Sequence, residues 1–175
     1  MTDRRGRRLI LLAHCILNQN AVVQPLARAP AALEGVLRGC LDAGVGLLQL
    51  PCPETAARGP ERAPDERRGY DAPAYRTLCR DLAAPLVAQV RAYERAGYTI
   101  VGLIGIGHSP SCGLDTTHNG GARPGRGVFM EELLALLPEL EGRYLEVPRR
   151  YGEDPEVTAA FDWEVRRFCA EPDSH

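Results

Sequence analysis

Residues 98–106, YTIVGLIGI, form a nearly unbroken apolar run. A strand with apolar side chains on both faces cannot rest against water on either, so this stretch demands one layer above it and one below. Three further short apolar runs share the chain: RLILLA (8–13), VGLLQL (45–50) and RYLEV (143–147). Helical patterns stand between them. Leu33, Val36, Leu37, Cys40 and Leu41 recur at helical spacing and are closed by Gly44. Asp71 and Pro73 read as cap and first residue of a second helix, with Leu78, Leu82, Leu86, Val90 and Tyr93 as its stripe and Gly97 as its end. Pro85 falls inside that stripe and predicts a kink or two abutting helices. VFMEELLALL (128–137) reads as a third helix. The last helix starts at Asp154-Pro155, with Val157, Phe161, Val165 and Phe168 on one face. Strand–helix alternation of this kind predicts an α/β fold: a single-domain open, mostly parallel sheet flanked by helices in a Rossmann-like three-layer arrangement.

No repeat or linker divides the chain, and its 175 residues are read as one domain. A chain of this size buries roughly 70% of its unfolded surface. The net charge of −2 supplies no electrostatic case for nucleic acid or an anionic membrane as partner. Every one of the 21 basic residues is arginine, which excludes a lysine Schiff base and a lysine-bearing phosphate loop. GLIGIG (102–107) lies inside the strand rather than after it, so it is not read as a dinucleotide motif. The apolar run Leu9–Ala13 is shorter than the roughly 7–15 residues of a signal-peptide core, and no run approaches the roughly 20 residues of a membrane span. The expected location is the cytoplasm. There the six cysteines are expected as ligands, catalytic thiols or buried thiols, not as structural disulfides.

In an open parallel sheet, ligands bind beyond the carboxyl ends of the strands. Cys15 follows the first strand, Cys52 the second in LQLPCPE, and Cys112 the third in GIGHSPSCG. All three are therefore expected at one edge of the sheet, whereas Cys40, Cys79 and Cys169 fall within helices. Converging thiolates suit a soft metal centre, an iron–sulfur cluster or zinc, although buried thiols would give the same spacing. No C-x-x-C pair is present, which weighs against a zinc ribbon or a ferredoxin-type site. A cubane cluster on three cysteines keeps one iron without a protein ligand.

HCILNQN, LPCPE and SPSCG, in this order, resemble the TudS-type thiouracil desulfidase family over residues 9–134, and a TudS-related branch of desulfidases most of all. The resemblance implies a 4Fe-4S cluster held by Cys15, Cys52 and Cys112, with the fourth iron open to substrate sulfur. It also implies Glu54 and Ser109 as catalytic polar groups, a small thiolated molecule as substrate, and cluster-assembly machinery as a partner. The expected reaction is hydrolytic and non-redox, a thiocarbonyl and water giving a carbonyl and hydrogen sulfide. Two departures bear on the substrate side: Ile16-Leu17-Asn18-Gln19-Asn20 replaces the commoner Leu-Leu-Gly after the first cysteine, and no Gly-Gly-Leu follows CPE.

Each of these residues has a plainer reading. Glu54 is otherwise a solvated loop carboxylate or a helix cap, and Ser109 and Ser111 are turn formers around Pro110. His14 and His108 read as hydrogen-bonded structural histidines, and Pro51, Pro53 and Pro110 as stiffeners of the cysteine loops. The polar stretch 54–71 is too long for a tight connection. HNGGARPGRG (118–127), with Arg123 and Arg126, is read as a mobile glycine-rich loop, with anion binding as the alternative. The helix bearing Trp163 is read as core packing. Two other functions compete with the desulfidase: a non-catalytic iron–sulfur or zinc module, with His14 or His108 as a fourth ligand, and a metal-free persulfide-transfer enzyme.

Overall fold

The computed structural model describes residues 2–171. Strand β1 (Arg8–Leu12) leads through the short helix α1 (His14–Leu17) to α2 (Glu34–Asp42) and β2 (Gly46–Gln49). Helices α3 (Pro53–Arg58), α4 (Arg67–Tyr70) and α5 (Pro73–Arg95) follow, then β3 (Thr99–Ile106). A hairpin of β4 (Thr116–His118) and β5 (Ala122–Pro124) precedes α6 (Val128–Leu136), β6 (Tyr144–Val147) and α7 (Pro155–Ala170).

Four strands form one sheet in the order β2-β1-β3-β6, every neighbouring pair parallel. The central strands are the ones with no polar face: Ile10, Leu11, Leu12, Leu103 and Ile104 have no exposed surface. Burying a leucine or isoleucine side chain in this way stabilises by about 1.5–3 kcal/mol each, so the pair β1–β3 anchors the core. Helix α2 packs on α7, and α5 on α6, giving the helical layers that the apolar run 98–106 requires. From β1 the chain steps outward to β2 and then returns across β1 to add β3 and β6 on the other side. The reversal places a topological switch point between β1 and β3, where open α/β sheets bind ligands.

Several local expectations are corrected. The stretch 54–71 is not an unstructured connection but holds α3 and α4. Asp71 does not cap α5: the N-cap is Ala72, and the Asp71 carboxylate pairs with Arg67 and Arg76 at 2.6 and 2.7 Å. Those two arginines satisfy the carboxylate more fully than a helix terminus would. Helix α5 runs as one element through Pro85, which lies on its exposed face, where water can satisfy the carbonyl left free by the missing N–H. The segment 118–127 is largely a hairpin; Arg126 is bound to the Glu141 carboxylate at 2.8 and 2.9 Å, so it is not free to form an anion cradle. Helix α7 does pack on the core, through Phe161 and Val165, but Trp163 itself is 57% exposed and lies against the Arg167 guanidinium. Among the described residues no helix is long and apolar enough to cross a membrane.

The start of α7 matches its sequence signal. The Asp154 carboxylate accepts the N–H groups of Glu156 and Val157 at 2.9 and 3.3 Å, and Pro155 holds the first helical position. Asp154→Ala is expected to lower stability by about 0.5–2 kcal/mol, measured by urea denaturation.

Candidate functional site

Three strand ends supply the three predicted cysteines. After β1, the Ala13 N–H donates to the Ile104 carbonyl at 3.0 Å, holding the chain against β3 as α1 begins with Cys15 in its first turn. After β2, the Leu50 N–H donates to Leu12 at 2.8 Å, and Cys52 becomes the N-cap of α3, its sulfur accepting the Thr55 N–H at 3.4 Å. After β3 the chain doubles back, so that the Cys112 carbonyl accepts the Ile106 N–H at 2.9 Å. That return requires Gly105, where an added Cβ would lie 2.6 Å from the Cys112 oxygen. The glycines of the apolar run thus serve the site as well as the sheet.

Cys52 and Glu54 both act on the thiols of Cys15 and Cys112. Burial, then the neighbouring Cys52 and Glu54, push the Cys15 thiol up to about 12, although part of the residue remains open to solvent. Burial again, then Cys15, Cys52 and Glu54, raise Cys112 well above the ordinary thiol range. Arg28 opposes this at Cys15; its N–H donates to Gln19 Oε1 at 2.7 Å and its guanidinium to the Pro148 carbonyl at 2.9 Å. Buried Gln19 in turn donates to the Cys15 carbonyl at 2.6 Å, so the departure Asn18-Gln19-Asn20 contains a brace for the first cysteine.

Glu54 is neither solvated nor the cap of its helix. It is 8% exposed in the first turn of α3, with Cys52 taking the cap. Its Oε2 accepts from Arg62 Nε at 3.0 Å, and the Arg62 side chain, 4% exposed, also binds Thr55 Oγ1, the Gly59 carbonyl and the Ala21 carbonyl. The Tyr70 hydroxyl approaches the same carboxylate oxygen at 3.5 Å. One carboxylate oxygen is therefore committed to the frame.

Ser109 organises the Cys112 loop. Its Oγ accepts the N–H groups of Ser111 and Cys112 at 3.3 and 2.9 Å. Both contacts use lone pairs, leaving the hydroxyl proton for another acceptor. Ser111 is fully buried and its hydroxyl lies 2.8 Å from that of Tyr75 on α5, so it is Ser109 and not Ser111 whose side chain bonds the turn around Pro110. On the far side of the loop, Glu146 of β6 accepts the Leu114, Asp115 and Thr116 N–H groups at 2.5, 2.8 and 3.2 Å and the Thr116 hydroxyl at 2.6 Å.

The histidines are engaged differently. His14 has Gln49 Nε2 at 2.7 Å from Nδ1 and Asn18 Nδ2 at 3.5 Å from Nε2, and burial lowers its pKa. Both ring nitrogens thus have amide neighbours. His108 adopts φ 64°, a left-handed conformation uncommon for a side-chain-bearing residue, stabilised by N–H contacts to the Thr116 carbonyl and hydroxyl, each at 3.1 Å. It borders a cavity of about 420 Å³ with Asp115, Tyr144, Glu146 and Arg149. None of the three cysteines, Glu54 or Ser109 lines that cavity, and its mixed charges select no one class of ligand.

No protein-family model matches this sequence. No solved structure matches it either. The uncharacterized protein MJ0003 of Methanocaldococcus jannaschii is 36% identical over 136 residues, which cover 78% of this chain and 81% of the relative. The chain belongs to the family of that protein.

Arg62, Gln19 and Glu146 were not singled out from sequence. Arg62 is one of several arginines in the polar stretch 54–71, and nothing local marks it as the one that turns inward. Glu146 carried a signal, being the lone carboxylate inside the short strand RYLEV. All six cysteines are free thiols. The donor set Cys15, Cys52 and Cys112 fits a thiophilic group by its chemistry, since thiolates are soft ligands and binding would neutralise the charge that burial disfavours at Cys15 and Cys112. Among the described residues no three His, Cys, Asp or Glu side chains already stand at the spacing of ligands around a single ion.

Two outcomes follow from this geometry. Arg62→Ala strands Glu54 as a buried, unpaired charge and is expected to lower stability by about 3–5 kcal/mol, read from denaturant melts. In metal-free protein at pH 8, iodoacetamide should label Cys15 and Cys112 at least ~10-fold more slowly than the unfolded chain, because only thiolate reacts and an ordinary thiol has a pKa of about 8.5; labelling should accelerate as pH rises toward the raised values.

Proposed function

We propose that the protein is a desulfidase that hydrolytically removes sulfur from a small thiocarbonyl compound of the thiouracil kind, as the TudS resemblance implies. One observation carries the reading: Cys52 and Glu54, from a second strand end, lie close enough to Cys15 and Cys112 to disfavour their thiolates at the switch point of the sheet. In this reading the three cysteines hold a 4Fe-4S cluster. When bound, the group supplies a thiophilic Lewis-acidic iron for the substrate sulfur.

The residues of the chain do the rest. Glu54, with Oε2 fixed by Arg62, uses its other oxygen as general base toward the water that attacks the thiocarbonyl carbon. Ser109, whose lone pairs are taken by the N–H groups of the cysteine loop, donates its remaining proton to the substrate ring. The balance is thiocarbonyl plus water to carbonyl plus hydrogen sulfide, with no net electron transfer. Water is restrained from other approaches because Glu54 and Cys112 are buried. A reducing cytoplasm and cluster-assembly machinery belong to the same reading, since an open iron is sensitive to oxygen.

The competing readings have less support. Passing a persulfide among all three cysteines needs each to act in turn as a thiolate, whereas burial disfavours the thiolate of Cys15 and Cys112. A four-ligand storage or sensing module gives no use for a buried, arginine-clamped carboxylate two residues from a ligand.

Protein prepared without oxygen is expected to contain about four irons and matching acid-labile sulfide per chain, with the content lost in Cys15→Ala, Cys52→Ala and Cys112→Ala. Glu54→Gln should keep its iron while sulfide release from 2-thiouracil falls roughly 10²–10⁴-fold. Absence of iron after anaerobic reconstitution overturns the proposal.

A further inference from the structure

Two cysteines outside the site meet between α2 and α7. Cys40 of α2 and Cys169 of α7 lie 129 residues apart in sequence, yet their sulfurs are 3.7 Å apart and neither residue has exposed surface. We propose that Cys40 and Cys169 form a modification site, oxidised by a hydroperoxide to a disulfide that staples α2 to α7.

The helices are built to bring these residues close. Gly35 and Gly39, one turn apart on α2, face Asp162 and Val165 of α7: an added Cβ would come within 2.2 Å of the Asp162 carboxylate and 2.9 Å of a Val165 methyl. Cys40 and Cys169 continue that register at the next contact. Small residues let the backbones approach, and backbone separation decides whether a disulfide can close. The sulfurs must move from 3.7 Å to the bonded distance of about 2.05 Å. Cys169 lies in the last turn of α7, where helix ends adjust most readily.

The chemistry balances with the oxidant named. One thiolate attacks the peroxide oxygen, the O–O bond breaks, and a sulfenic acid forms as an alcohol or water departs. The second thiol attacks that sulfur and expels water. Overall, two thiols and a hydroperoxide give a disulfide, an alcohol and water; the thiols lose two electrons and two protons. Burial restricts the oxidant to small peroxides and leaves the sulfenic acid no nearer partner than the facing thiol. The bridge would tie α2, which connects the Cys15 segment to β2, to the helix that closes the same face.

The test uses the full chain. Protein is treated with hydrogen peroxide, remaining thiols are alkylated in denaturant, and peptides are mapped after trypsin and an aspartate-directed protease, which separates Cys40 from Cys52. A Cys40–Cys169 cross-linked peptide that disappears on dithiothreitol treatment is expected. The melting temperature should rise by roughly 5–15 °C relative to Cys40→Ala/Cys169→Ala handled identically, a comparison that cancels damage at the other cysteines. Oxidation confined to Cys15, Cys52, Cys79 or Cys112, or no cross-link at all, overturns the proposal. The outcome is independent of iron content and of sulfide release.

Discussion

The structure depends on burying β1 and β3 from both sides. These two strands carry apolar side chains up and down, so neither can lie at an edge or face water, and helices must cover both surfaces. Parallel pairing then has a geometric consequence: every strand in the sheet finishes at the same edge. Whatever follows β1, β2 and β3 in sequence is delivered to one place. Cys15, Cys52 and Cys112 are brought to that edge because hydrophobic burial sets the direction of three strands, and no attraction among the thiols is required.

Gathering like groups in a poorly solvated place has a cost, and the surrounding contacts answer it. At Cys15 and Cys112, burial and the neighbouring acidic groups both penalise the thiolate. Glu54 remains buried because Arg62 is buried with it and bonded to three further oxygens. Without those bonds the desolvation of both charges would exceed their attraction. Glu146 does comparable work by a different route, concentrating three backbone N–H groups and a hydroxyl on one carboxylate. It fastens the loop after Cys112 to a strand that carries no cysteine. The loops at this edge are thus held from both sides, by Gln19 and Arg28 beside Cys15 and by Glu146 beside Cys112.

The two cysteine sets differ in burial and in surroundings, Cys15 and Cys52 being half-buried. Cys112 is 7% exposed and Cys40 and Cys169 not at all. Cys15 in the first turn of α1, Cys52 at the cap of α3 and Cys112 in a loop follow strand ends, with the Glu54 carboxylate, Arg28 and Arg62 nearby. Cys40 and Cys169 sit on the facing sides of α2 and α7, where their sulfurs are 3.7 Å apart. One environment suits a charged, thiophilic ligand, and the other suits only chemistry between the two thiols.

Much of the frame was legible in the residues. Apolar runs with period-free burial and helical stripes between them predict the sheet and its layers, and Asp154-Pro155 marks the start of α7, because these are local signals set by burial and by a helix's own unpaired N–H groups. The position of the three cysteines just after strands was equally visible. Other features were out of reach. Asp71 carries a cap's sequence signature and pairs with arginines instead, and Arg62 is indistinguishable from its arginine neighbours until the chain folds it against Glu54. Sequence by itself determined which segments must be buried and therefore which residues reach the strand edge, since that depends on side-chain hydrophobicity and its spacing. Only the tertiary structure decided which charges face one another there, and that Cys40 meets Cys169, because a partner distant along the chain is chosen by packing, and packing leaves no periodic mark on either residue.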